Sequence, residues 1–191
     1  MHVRLLRFIN KHDILYDYQF GFREGHSTSM ALITIVDRIS EALDTGKSVI
    51  GIFLDFSKAF DTVDHNILLN KLKCYGVRGI AYDWFESYLE SRQQFVTYNT
   101  VKSSHMKITC GVSQGSILGP LLFLLYINDL STVSNASFPV LFADDTNLFY
   151  IGDDINELTV HINGELKKIV DWLECNKLNV NVKKTNYMIF L

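Results

Sequence analysis

Pro139-Val-Leu-Phe-Ala-Asp-Asp-Thr-Asn-Leu-Phe-Tyr-Ile151 is the stretch from which the fold is read. Two runs of β-formers, Val140–Phe142 and Leu148–Ile151, flank a tight centre of Ala143, Asp144, Asp145, Thr146 and Asn147. That pattern predicts a β-hairpin with adjacent carboxylates at its tip. Neighbouring like charges repel and resist burial, so something must offset them. A divalent cation is the simplest partner, because carboxylate oxygens suit magnesium or manganese. The plain alternative is a solvated turn, where Asp and Asn are favoured anyway.

A carboxylate elsewhere on a buried strand favours the cation. Lys47-Ser-Val-Ile-Gly-Ile-Phe-Leu-Asp55 is apolar at successive positions, which predicts a strand buried on both faces. Asp55 stands at its carboxyl end, where catalytic groups of sheets emerge. Asp55, Asp144 and Asp145 on neighbouring strands would converge as a two-metal phosphoryl-transfer site requires. There, two cations about 3.5–4 Å apart activate an attacking hydroxyl and stabilise the leaving group.

The rest of the chain supplies a scaffold. An amphipathic helix is expected around Val3–Lys11, then a loop through Gln19–Thr28 that carries an exposed cation, Arg23. Ser27 or Thr28 caps a helix with Leu32, Ile35, Val36, Ile39 and Leu43 at helical spacing, and Gly46 ends it. Asp61 or Asp64 caps a helix through Ile67, Leu68, Leu72 and Tyr75, and another runs over about Ile80–Ser91. Arg92–Val101 and Lys107–Val112 read as a hairpin joined around Ser103–His105. A turn-rich stretch, Gly111–Gly119, leads into a helix near Pro120–Leu130. Asp153 or Asp154 starts a long helix with Ile155, Leu158, Ile162, Leu166, Ile169 and Leu173 on one face. Leu178–Val182 and Tyr187–Leu191 read as strands around Lys183–Asn186. The class is α+β, with acidic residues on an antiparallel sheet backed by helices.

The 191 residues, with 48% hydrophobic and 20% charged, suit one globular domain. A formal charge of −3 gives no global basic signal, so any nucleic-acid argument rests on local features. Cys74, Cys110 and Cys175 form no C-x-x-C pair and read as free thiols in a reducing compartment. The six histidines show no H-x-x-x-H spacing, which leaves no zinc pattern. The N-terminus lacks a secretory core, and the most apolar run, Ile117–Ile127, is too short to span a bilayer. An intracellular protein is expected, in nucleus or cytoplasm, with no membrane association.

Gln19–Thr28, Ile52-Phe-Leu-Asp-Phe-Ser-Lys-Ala-Phe-Asp61, Gly111-Val-Ser-Gln-Gly-Ser-Ile-Leu-Gly-Pro-Leu-Leu-Phe123, Phe142-Ala-Asp-Asp145 and Leu178–Thr185 follow one another in order. Together they resemble the successive motifs of reverse transcriptases of non-LTR (LINE-type) retrotransposons. The resemblance covers nearly the whole chain. It implies a polymerase palm with a ferredoxin- or RRM-like sheet, residues 1–46 as a portion of the fingers and 47–191 as mainly palm. It implies an RNA-directed DNA polymerase that adds deoxynucleotides to a DNA primer on an RNA template, with two Mg2+ or Mn2+ ions.

Carried over by position, Asp55, Asp144 and Asp145 resemble the catalytic triad. Asp55 and Asp144 would be direct metal ligands, Asp145 a looser one, and the Phe56 main-chain carbonyl would face a metal. Phe60 matches the aromatic that packs under the incoming sugar and would clash with a 2′-hydroxyl. Its plain alternative is a core Phe. Gln114 and Gly115 match the motif that contacts nucleotide and template. Arg23 matches a fingers residue suited to a phosphate. Lys184 matches the fourth palm motif and could protonate departing pyrophosphate; Lys183 reads equally as a solvated turn. Asp61, Asp64 and His65 read as capping residues without a catalytic role.

The resemblance ends at Phe190-Leu191, just past the fourth palm motif, so a fragment without primer grip, thumb or endonuclease is expected, impaired in extension by itself. Rival enzyme classes lack their patterns: Asp55-Phe-Ser57 is not Asp-x-Asp, and no Walker loop or Gly-Gly-Asp/Glu-Glu-Phe hairpin occurs. RNA-directed RNA polymerases share the palm, but Phe60 argues against them. The rival from another class is a catalytically silent, decayed or domesticated fragment that binds nucleic acid or a partner.

Overall fold

A computed structural model describes residues 1–90, 92–113 and 115–191. Its centre is a four-stranded antiparallel sheet built from β1 (Ser48–Leu54), β6 (Phe138–Phe142), β7 (Asp145–Gly152) and β8 (Asn186–Phe190). The strands lie in the order β6-β7-β1-β8, with β1 inside and buried along most of its length. Its unbroken apolar run is what two covered faces demand.

Helices cover both faces. Ile50, Ile52, Leu54, Leu148 and Tyr150 point to one side and pack with α1 (His2–Lys11), α3 (His65–Cys74), α4 (Ile80–Glu90), α5 (Leu118–Ile127) and α6 (Ile155–Cys175). Every residue of α5 except Pro120 is buried, as its all-round apolar sequence requires. Val49, Phe149 and Val140 point to the other side, where α2 (Thr28–Asp44) lies with Ala31, Ile35, Ile39 and Ala42 inward. Side chains alternate along a strand, so β1 residues of odd number, Asp55 among them, belong to the α2 side.

The caps follow the sequence. The Ser27 side chain accepts from the Met30 N–H at 3.2 Å and starts α2. Asp64 and Asp154 each accept two backbone N–H bonds at the starts of α3 and α6. Asp64 also meets Lys177 Nζ at 2.6 Å, which ties α3 to the end of α6.

Four expectations are corrected. Leu32 and Val36, read as inward positions of α2, are exposed, because the helix rests on the sheet through the arc of Ala31, Ile35, Ile39 and Ala42. The hairpin after α4 turns at Asn99-Thr100 instead of Ser103–His105; both turn residues have positive φ, which suits a two-residue hairpin turn. Its ribbon comprises β2 (Gln93–Gln94), β3 (Thr97–Tyr98), β4 (Val101–Lys102) and β5 (Met106–Lys107). Strand β7 begins at Asp145, well before Leu148. Leu178–Val182 forms no strand but a single bridge, Phe56 to Val180, followed by a turn.

No helix among the described residues is long and apolar enough to cross a membrane. Cys74, Cys110 and Cys175 are exposed free thiols.

Candidate active site

Register brings the acidic residues together. β1 and β7 pair with Leu54 opposite Thr146, so the next step along each strand sets Asp55 alongside Asp145. Across the hairpin Phe142 pairs with Asp145, leaving Ala143-Asp144 as a two-residue turn. Ala143 takes a φ of 58°, a left-handed conformation uncommon for a residue with a Cβ. Gln19 holds it there: its Oε1 accepts from the Ala143 N–H at 3.0 Å and from the Gly21 N–H at 2.9 Å. Tyr18–Phe20 runs beside β6, with Phe20 N–H donating to Leu141 O at 2.8 Å and Leu141 N–H to Tyr18 O at 2.9 Å.

The other strand end is clamped as firmly. The Asp55 carbonyl accepts from the Asn181 N–H at 2.7 Å, and its N–H donates to Thr185 Oγ1 at 3.3 Å. The intervening turn sets Lys184 Nζ 3.9 Å from Asp55 Oδ2, with the lysine side chain 72% exposed. At that exposure the pair adds little stability, and its effect is placement. Asp55, Asp145 and Lys184 line one groove of about 540 Å³ with Thr28, Leu32 and Asn147, where α2 leaves the sheet uncovered.

Asp145 is exposed at the groove, yet partial desolvation by the surrounding protein, and then the charges of Asp144 and Asp55, raise its carboxyl above the usual carboxylate range. Among the described residues, no three His, Cys, Asp or Glu side chains are gathered closely enough to hold a metal ion. The chemistry of the donors nevertheless suits a hard divalent cation: Asp55 and Asp144 act electrostatically on Asp145, all three offer carboxylate oxygens, and Lys184 lies beside Asp55.

The other expected site residues divide. Phe56 is buried and paired with Val180. Since Asp55 and Ser57 turn their backbone bonds toward residues 179–181, alternation turns the Phe56 carbonyl to the opposite side, where β7 runs. Phe60 is half-buried, stacked on Phe123 at a centroid distance of 4.3 Å, with the ring of Phe22 edge-on at 6.1 Å. It is therefore neither a wholly buried core residue nor a free surface ring. Gly115 is exposed with a φ of 79° and open space around its Cα. Gln114 lies outside the described residues. Arg23 corrects its expectation: it is half-buried, and its Nη1 donates to the carbonyls of Tyr16 and Gln19 at 3.0 and 3.1 Å. A guanidinium so engaged through Nη1 braces the loop.

Gln19 and Gly21 were not singled out by sequence reading. A Cβ on Gly21 would stand 2.2 Å from the Ala143 nitrogen, so only glycine lets this loop pass the acidic turn. The glycine itself was visible, but nothing in the sequence said which backbone it would meet.

An antiparallel sheet with carboxylates at the ends of its adjoining central strands, helices packed on both faces, defines a polymerase palm. The chain belongs to the reverse transcriptase (RNA-dependent DNA polymerase) family, whose model matches residues 2–189. It is 31% identical over 192 residues to the probable RNA-directed DNA polymerase from transposon X-element of Drosophila melanogaster, spanning 98% of this chain and 21% of that protein. It is 32% identical over 180 residues to the RNA-directed DNA polymerase from mobile element jockey of the same species, spanning 91% of this chain and 20% of that protein. The chain thus spans about a fifth of the length of these relatives. Among solved structures, telomerase from Candida tropicalis in complex with the TWJ fragment of telomeric RNA shares the fold. Its TM-score is 0.71 at 15% identity, covering 98% of this chain and 32% of that one.

Proposed function

We propose that this chain is the palm and part of the fingers of a retrotransposon RNA-directed DNA polymerase, and that it adds deoxynucleotides to a primer 3′-hydroxyl on an RNA template. Residues 1–46 supply the fingers portion and 47–191 mainly the palm. The observation that carries the reading is the convergence of Asp55 and Asp145, with Lys184, on one groove beside the Asp144 turn. Family membership and the retrotransposon relatives support it, and an intracellular setting is part of the same proposal.

Asp55 and Asp144 are the proposed metal ligands, Asp145 the looser third, and the Phe56 carbonyl a further oxygen donor. Two Mg2+ or Mn2+ ions bound there would lower the pKa of the primer hydroxyl and offset charge on the leaving pyrophosphate. The Asn181–Thr185 turn grips the backbone of Asp55, and Gln19 grips Ala143 beside Asp144. Lys184, 3.9 Å from Asp55, is the proposed ammonium that gives its proton to the leaving oxygen. Phe60, fixed from below by Phe123, would meet the sugar 2′ position and favour deoxynucleotides. Gln114 and Gly115 would approach the base pair, where the open surround of Gly115 lets backbone come close.

The test is single-nucleotide addition to a DNA primer on RNA, with and without Mg2+, compared with Asp144→Ala. The reading expects metal-dependent addition that the substitution abolishes. Addition that survives Asp144→Ala overturns it. Mn2+ binding followed by electron paramagnetic resonance gives an independent readout, expected to weaken in Asp55→Asn.

A further inference from the structure

The ribbon β2–β5 has no part in the site described above, yet its composition is unlike that of the rest of the chain. Between Glu90 and Asp129 there is no acidic side chain, whereas Arg92, Lys102 and Lys107 all fall on the ribbon or its base. In a chain of net charge −3, this makes the arm a local cation on a more acidic body.

Pairing assigns its two faces. Thr97 lies opposite Lys102, and Tyr98 opposite Val101, around the Asn99-Thr100 turn. One face therefore carries Val96, Tyr98 and Val101, all exposed, with Tyr98 at 76%. The other carries Phe95, flanked by the His105 ring at 4.9 Å and by Lys102 Nζ 5.2 Å over its own ring. Exposed aromatics interleaved with cations match the chemistry of a nucleic-acid strand, whose bases stack while its phosphates attract positive charge.

The base of the arm leads to the catalytic groups. Arg92 Nη2 donates to Ser113 Oγ at 2.7 Å, and a depression of about 560 Å³ there is lined by Arg92, Gln94, Lys107 and Ser113, with Asp61 on its palm side. Just beyond, Val112 N–H donates to the Phe60 carbonyl at 2.9 Å. Cations thus run from the arm to the segment that holds Phe60.

We propose that the Arg92–Ile108 ribbon is a binding arm for single-stranded nucleic acid, gripping by stacking on the exposed Tyr98 and by ion pairing to Arg92, Lys102 and Lys107. The proposal rests on the polymerase reading only for which strand is held, the one passing to the catalytic groove. Charge complementarity favours this occupant over a second protein surface.

The test is fluorescence anisotropy of a labelled oligouridine of about twenty nucleotides, titrated with the chain at several salt concentrations. Tyr98→Ala is expected to weaken binding roughly fivefold or more. Lys102→Gln with Lys107→Gln, which disturbs no core, is expected to flatten the log–log salt slope by about 1.4, about 0.7 for each lost phosphate contact. Circular dichroism melts are expected to match wild type for both variants. Asp144→Ala is expected to keep full affinity for the strand while losing nucleotide addition, so failure of the arm and failure of the catalytic reading are told apart. Wild-type affinity and slope in both arm variants overturn the proposal. So does a dimer of the chain, seen in sedimentation, that the arm variants dissociate while oligonucleotide affinity is kept.

Discussion

Gln19 Oε1 lies 3.0 Å from the backbone nitrogen of Ala143, a hydrogen bond across 124 positions of sequence. Gln19 is 1% exposed, so water does not compete for the bond. The bond joins the loop before α2 to the turn that carries Asp144. We expect Gln19→Leu to cost about 1–3 kcal/mol, because it leaves the Ala143 and Gly21 N–H groups buried without an acceptor. Urea denaturation measures the cost. Nucleotide addition should fall by more than stability explains, since the turn then loses its fixed conformation.

Gly21→Ala should act at the same place by crowding. The added methyl carbon would meet backbone atoms of Phe142 and Ala143, which cannot rotate away as a flexible side chain would. Overpacking of this kind costs about 1–3 kcal/mol. A melting temperature equal to wild type would contradict the packing described.

Asp145 makes stability depend on pH in a direction opposite to that of a paired carboxylate. Its folded carboxyl binds a proton more tightly than the unfolded chain, whose value is near 3.8. Stability from this group therefore falls as pH rises from about 3.8 through the raised folded value, as partial desolvation and its acidic neighbours oppose the charge. Asp145→Asn should raise the melting temperature at neutral pH, with the gain shrinking as pH drops through that window. Added Mg2+ should stabilise wild type, and should do so less after the substitution. Calorimetric scans over pH and Mg2+ concentration check both.

Asp64 titrates the other way. Burial pushes its carboxyl up, but the Lys177 hydrogen bond and the backbone N–H groups of Ile67 and Asn66 together hold it below the usual range. A depressed folded pKa gives stability that is present above about 3.8 and is lost as pH falls through the folded value. Asp64→Ala removes the α3 cap and should cost about 1 kcal/mol at neutral pH. Asp64→Asn keeps a capping oxygen and should cost less. Denaturation of both at neutral and acid pH tests the sign.

Phe60→Ala should widen the space above Phe123 and raise incorporation of ribonucleotides relative to deoxynucleotides. Comparing single additions of the two nucleotide types checks it. An unchanged ratio would mark Phe60 as a packing residue alone.

Local chemistry was legible without coordinates wherever a residue's neighbours in sequence decide its conformation. The caps at Ser27, Asp64 and Asp154, the Gly46 stop, the fully buried α5 and the acidic hairpin all follow from periodicity and side-chain reach over a few residues. The aspartates were legible too, because a carboxylate ending an apolar strand conflicts with burial in any fold. What lay beyond reach were relations between distant segments. Which face of α2 is covered depends on how the helix is seated on the sheet, through Ala31, Ile35, Ile39 and Ala42, so Leu32 and Val36 could not be placed by spacing. Arg23 was read as a free cation because the carbonyls that engage it come from a loop closed only in three dimensions. The grip of Gln19 on Ala143 and of the Asn181–Thr185 turn on Asp55 are contacts of the same kind. Sequence alone determined which groups carry the chemistry; tertiary structure decided what holds them in place, because hydrogen bonds and packing between remote segments have no local signature in the chain.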